Sequence, residues 1–252
     1  MFWKKKNKLP VTQEDKNWVD ENIDWLETQL SKKHFLEIKT ITPTKDFFDE
    51  NFNNSEEDAR EILKKVMSLM QICDLEFELI FFSDNVVLMD DGNILTTLSD
   101  EKGGWDSASG AIEINEKGFK IYIEKEQLKD PISLIATISH ELAHEILLGE
   151  NRIDENDEFL TDLTAITYGF GIFLGNSKFS FSQFSTNGGY GWQSSSQGYL
   201  PEQIIAYTMA KLSFLRKEDI TYSKFLNKTM KKYFDQSYLW LIENNKNSSK
   251  ID

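Results

Sequence analysis

One stretch limits what this chain can be more than any other: Ile138-Ser139-His140-Glu141-Leu142-Ala143-His144-Glu145-Ile146-Leu147-Leu148-Gly149. Its flanks predict a helix. Pro131 follows Asp130 and suits a first helical position, and Gly149 is placed to end the helix. Leu134, Ile135, Ile138, Leu142, Ile146 and Leu147 recur at helical spacing, so one face is apolar. Residues four apart on a helix share a face, so His140 and His144 present their imidazoles to one point. Glu141 points to the side of that point, and Glu145 is turned away from it and should be dispensable. Two imidazoles with a neighbouring carboxylate can hold zinc and take a proton from a metal-bound water. The chain has three His in all, two of them here. The third, His34, comes after a Lys pair and is expected to end a helix, where a cation suits the dipole.

A catalytic zinc usually takes three protein ligands and leaves a fourth position open. No His comes after Gly149, so a third ligand from downstream must be a carboxylate. After a polar loop from Glu150 to Asp157, the chain reads as a second helix returning beside the first, with Glu158 and Asp162 on one face. Glu158 by itself also fits as an acidic first-turn residue favoured by the helix dipole. Asp162 stands inside Phe159 to Leu174, a run so apolar that its helix is expected to be buried, and a buried carboxylate needs a partner. A metal-ligating His needs its other ring nitrogen held, most often by a carboxylate. Glu158 is therefore assigned to the metal and Asp162 to the back of a ligand His. Glu155 and Asp157 are weaker candidates for the ligand.

His140-Glu141-x-x-His144 followed by Glu158-x-x-x-Asp162 resembles the gluzincin metallopeptidases. That resemblance implies that the two His and the Glu of the second helix bind zinc. It also implies that the Glu after the first His is the general base, and that the Asp supports a ligand His. It covers about the central third of the chain. Ala136 to His144, Leu160-Thr161-Asp162-Leu163, Gly169 to Phe173 and Gly198-Tyr199-Leu200 also resemble an uncharacterised family of bacterial proteins, a likeness that implies no substrate.

Length and composition set outer limits. A chain of 252 residues with 40% hydrophobic residues can bury a real core, and a single domain is expected over 1–252. Its net charge of −14 argues against nucleic acid or an anionic membrane as a partner. The single cysteine, Cys73, excludes an internal disulfide and is expected in the core beside Met70 and Leu75. Met1 to Lys8 is basic, but the apolar segment of a signal peptide does not come after it. Phe159 to Leu174 is too short to span a bilayer. The expected location is cytoplasmic.

Taken in order, Gln13 to Leu30 reads as an amphipathic helix and Phe35 to Ile41 as a short strand or extended piece. Phe47, Phe48 and Phe52 are loop aromatics expected to anchor on the core. Ser55 caps a helix running to about Gln71. Leu75 to Phe82 is a strand, and Asp90 to Asn93 is a turn between short strands. Ala111 to Asn115 and Phe119 to Glu124 flank Lys117-Gly118, a hairpin signature. Ala108 to Ile114 would be an edge strand that pairs with extended substrate, or an ordinary sheet edge. Gly169 and Gly171 should let helices approach closely. Ser177 to Gln197 reads as a long loop. Pro201 starts a helix to about Arg216, Phe225 to Ile242 carries the final helices, and Asn244 onward reads as a polar tail.

The expected fold is α+β and zincin-like. A small mixed or antiparallel sheet with an edge hairpin (1–130) packs on the motif helix, and a mainly helical half (131–252) comes after it. The expected function is a zinc-dependent hydrolase, most simply a peptidase acting on a peptide or protein, with Zn2+ as cofactor. Glu141 would activate the water, and Tyr199, Tyr207 or Arg216 would help hold the oxyanion. The alternatives are a zinc-binding scaffold that recognises a protein partner without turning it over, and an α+β interaction protein whose motif is accidental.

Overall fold

The computed structural model describes residues 7–48, 52–73, 75–83, 87–88, 94–95, 110–115, 118–177 and 200–248. Helix α1 (Gln13–Leu30) is set by a capping box. Thr12 Oγ1 accepts from the Asp15 amide at 3.1 Å, and the Asp15 carboxylate accepts from the Thr12 amide at 3.0 Å. Val19, Ile23, Leu26 and Leu30 are its buried face. A short helix α2 (Lys32–Glu37) stands where a strand was expected from Phe35. Phe35 is buried from this helix, and only the residues after Glu37 run extended. His34 lies in the last turn of α2. Phe47, Phe48 and Phe52 pack on the core as anticipated, Phe48 edge-on to Phe173.

Helix α3 (Glu56–Leu69) starts with a second capping box, Ser55 with Asp58, and buries Ala59, Ile62, Leu63 and Val66. It stops short of Gln71, which takes a left-handed φ of 58°. That turn leaves Met70 and Ile72 buried and Cys73 exposed, so the cysteine is not a core residue. Strand β1 (Phe77–Phe82) comes next, then β2 (Val87–Leu88) and β3 (Ile94–Leu95), which pair antiparallel with each other.

Strands β4 (Gly110–Asn115) and β5 (Gly118–Glu124) pair antiparallel, Ile112 opposite Ile121, and β5 pairs parallel with β1. Among the described residues the sheet order β1-β5-β4 leaves β4 at an edge. The fold is α+β and mainly helical, with a small mixed sheet. Helix α4 (Pro131–His144) carries the motif. Pro131 occupies its first turn, and the Asp130 carboxylate accepts from the amides of Ile132 and Ser133. Packed by α3, β4, β5 and the later helices, α4 is buried from Ser133 to its end. A π-helical turn, Glu145–Gly149, closes it.

Helix α5 (Glu158–Ala165) begins after the polar loop, with Asp157 accepting from the Leu160 amide at 3.0 Å. The segment Ile166–Phe170 is kinked at Gly169, whose φ is 101°, so the apolar run is broken rather than one helix. Helix α6 (Gly171–Asn176) resumes it. Gly169 and Gly171 are points of close approach, the first to the backbone of Lys39 and the second to Met209. Helix α7 (Glu202–Arg216) starts after Pro201, and α8 (Lys228–Ser248) extends through residues expected to be a polar tail. The buried core runs from Val19 to Leu241. No helix among the described residues is long and apolar enough to cross a membrane.

Candidate metal centre

The helical spacing works as anticipated. His140 and His144 lie one turn apart on α4, and α5 runs beside α4 so that Glu158, in its first turn, reaches both. Glu158 Oε2 is 3.0 Å from His140 Nε2 and 3.3 Å from His144 Nε2, and the two Nε2 atoms are 3.1 Å apart. Among the described residues this is the one His/Cys/Asp/Glu cluster with converging ligand atoms.

Each member is held from behind. His140 Nδ1 is 2.8 Å from Asp162 Oδ1, and Asp162 Oδ2 accepts from the Leu200 amide at 2.8 Å. Asp162 is 3% exposed, so its burial is matched by two partners, as its sequence setting required. His144 Nδ1 is 3.2 Å from Thr161 Oγ1. Asn156 Nδ2 donates to Glu158 Oε1 at 2.8 Å, which leaves Oε2 for the imidazoles. Glu155 and Asp157 are exposed, and Asp157 is occupied as the cap of α5.

These partners decide where protons sit. An ionised carboxylate only accepts, so His140 carries hydrogen on Nδ1 towards Asp162, and Nε2 is the nitrogen whose lone pair would be offered to a metal. Burial pushes the His140 imidazole down, but the carboxylates of Asp162 and Glu158 outweigh it and leave it well above its ordinary value. Burial pushes Glu158 up, and the two imidazoles overcome it and hold the carboxyl well below the usual carboxylate range. The pocket therefore favours positive charge at its centre.

A small cation fits the triangle. Four ligands at zinc distances of about 2.0–2.1 Å in a tetrahedron stand about 3.3 Å from one another. The three edges here are 3.0, 3.1 and 3.3 Å. Two imidazole nitrogens and one carboxylate oxygen are a donor set that zinc accepts.

Glu141 is 5% exposed and sits within the fields of His140, His144 and Glu158. Burial raises its carboxyl, the two imidazoles pull it down, Glu158 pushes it up, and the net shift is upward. Glu145 keeps different company: it is buried, folded over Gly149, and its charged neighbours are Glu150 and Arg152.

Tyr207 is not brought to the triad by its hydrogen bonding. Its hydroxyl donates to Asp20 Oδ1 at 2.9 Å, and α7 buries the ring completely. Arg216 donates to the carbonyl oxygens of Phe35 and Thr167, a clamp between helices. Tyr199, like Tyr190 and Trp192, lies outside the described residues. Two contacts went unread in the sequence, Thr161 on His144 and the Leu200 amide on Asp162. Thr161, three residues after Glu158 and one before Asp162, could have been found from helical spacing. A backbone amide 38 residues away leaves no such trace. Comparison with protein-family models, with curated proteins and with solved structures finds no match for this chain.

Proposed function

We propose that this chain is a zinc-dependent hydrolase that cuts peptide bonds, with a zincin-like arrangement of its central helices and sheet. The observation that carries the reading is the triangle of His140 Nε2, His144 Nε2 and Glu158 Oε2, with Glu141 buried beside it. Those three residues would hold zinc. When bound, it would supply Lewis acidity, polarising a carbonyl and making a water molecule more acidic.

The chain's own residues account for the rest. Asp162 and Thr161 hold the imidazoles from behind, so the ligand lone pairs converge without rearrangement. Glu141 stands directly after the first ligand and flanks the triad without belonging to it. Its carboxylate takes the proton of the attacking water and returns it to the leaving amine. Edge strand β4 packs against α4, and its outer backbone edge, unpaired among the described residues, is suited to pairing with an extended peptide. This supports a peptide over a small ester or amide as substrate.

The test compares wild type with Glu141→Gln, which keeps size and hydrogen bonding but removes the basic oxygen. Both should purify with about one zinc per chain, the stoichiometry of a three-ligand catalytic site. His140→Ala and His144→Ala should lose it. New peptide termini from a broad peptide library, read by mass spectrometry, should appear with wild type. The Gln variant should be slower by about 10²–10⁴. Zinc in both proteins with cleavage by neither would favour a binding scaffold. Equal cleavage by both would remove Glu141 from the mechanism, and absence of transition metal after zinc addition would remove the metal centre.

A further inference from the structure

We propose that Thr161 sets the tautomer of His144 and is a positioning residue of the metal centre; the inference rests on the metal-centre reading. A single proton is decisive. Thr161 is fully buried, and its hydroxyl has one hydrogen to give. Oγ1 donates to the carbonyl oxygen of Asp157 at 2.8 Å, and the same carbonyl accepts from the Thr161 amide at 2.9 Å. The hydroxyl is thereby pinned to the first turn of α5, and only its lone pairs face His144 Nδ1 at 3.2 Å.

An imidazole nitrogen facing a lone pair must carry the hydrogen itself. Nδ1–H then donates to Thr161, and Nε2, which faces the Glu158 carboxylate at 3.3 Å, would give its lone pair to a cation held between them. The opposite tautomer would place a hydrogen inside the triad, where a metal ligand needs a lone pair. The two imidazoles are thus held alike in tautomer but by different chemistry. His140 has a carboxylate behind it, which also adds negative charge, whereas His144 has a neutral hydroxyl that orients and adds none. Because the hydroxyl is tied to Asp157, the start of α5 orients His144 in the same stroke that presents Glu158.

The test uses Thr161→Val, which keeps the branched shape and removes the lone pairs, and Thr161→Ser, which keeps the hydroxyl. In the zinc-loaded full chain, nitrogen–proton correlation spectra report which ring nitrogen of His144 bears hydrogen and how fast that hydrogen exchanges with solvent. Wild type and Thr161→Ser should show a slowly exchanging Nδ1–H, and in Thr161→Val it should exchange faster or be lost. Competition for Zn2+ against a chromophoric chelator should show affinity lowered about 10-fold or more in Thr161→Val. Thr161→Ser should stay near wild type. Nε2–H on His144 in wild type overturns the proposal, and that outcome does not depend on any variant folding. Unchanged zinc affinity in a folded Thr161→Val protein overturns it as well. Failure of wild type itself to bind zinc is the separate outcome that overturns the metal-centre reading.

Discussion

Asp162 uses both of its oxygens, one on an imidazole and one on the backbone amide of Leu200. That double use makes substitution at this residue informative. Asp162→Asn has one acceptor oxygen for two donors, and its amide hydrogens must face either His140 Nδ1–H or the Leu200 amide. We expect the helices to persist by circular dichroism while zinc affinity, read by chelator competition, falls about 10–100-fold. Glu155→Ala, by contrast, removes an exposed side chain and should leave affinity unchanged. Equal loss in both variants would mean that the acidic loop as a whole, not the Asp162 contact, governs the metal. At this scale the sequence was legible where helical spacing alone brings residues together, as with His140 and His144 on α4 and Glu158 and Asp162 on α5. It was silent on Leu200, because a main-chain amide looks the same at every position.

Helix α4 ends in a π-helical turn, Glu145–Gly149, whereas α5 runs into a kink at Gly169 before α6 resumes. A π turn inserts an extra residue per turn and rotates the next segment of chain about the axis. Behind α5 the change of direction is made at Gly169, whose φ of 101° is open to glycine and costly for other residues. Space is as restrictive as torsion there. A Cβ on Gly169 would fall on the carbonyl oxygen of Lys39, and the Ile41 amide donates to the Gly169 carbonyl at 2.9 Å. Gly169→Ala should therefore destabilise the protein by about 2 kcal/mol or more, through backbone strain and overpacking together. Urea unfolding measures it, and a loss below experimental error would show that the segment after α2 can retreat freely. The apolar run Phe159 to Leu174 correctly signalled burial, but its hydropathy could not show the break at Gly169. Burial is read from composition, while the direction of the chain is decided by what lies opposite.

Across the whole molecule, a polar cluster ties the first long helix to α7. Asp20 on α1 accepts from Lys16 at 2.7 Å, from Lys211 at 3.0 Å and from the Tyr207 hydroxyl at 2.9 Å. Burial pushes the Asp20 carboxyl up, but the hydrogen bonds from Lys16 and Lys211, with that of Tyr207, outweigh it and hold it below its ordinary value. A carboxyl bound more tightly as the anion in the folded state stabilises the fold above its unfolded pKa of about 3.9. The contribution is lost as pH falls through the folded value. Asp20→Asn should cost about 1–3 kcal/mol near neutral pH, since it leaves two ammonium groups without their carboxylate. The gap between variant and wild type should close as unfolding is measured at increasingly acid pH. A gap independent of pH would assign the effect to packing instead of charge.

The features legible in one dimension are local. The Ser55 cap and Pro131 after Asp130 mark helix starts, and helical periodicity marks buried faces. The His-Glu-x-x-His spacing puts His140 and His144 on one face, and Glu158 and Asp162 share a face of the next helix. These come from forces acting over a few residues along the chain, so the order of residues is enough to reveal them, whereas the meeting of the two helices is a tertiary contact. Other outcomes were settled by packing between distant parts of the molecule. Phe35 sits in a helix because its ring has a buried place there, and Cys73 faces outward because Gln71 turns the chain after α3. The Tyr207 hydroxyl is committed to Asp20, 187 residues away, and is not offered to the triad. Each of these outcomes depends on which distant surface arrives beside a residue, and that competition among contacts has no period along the sequence.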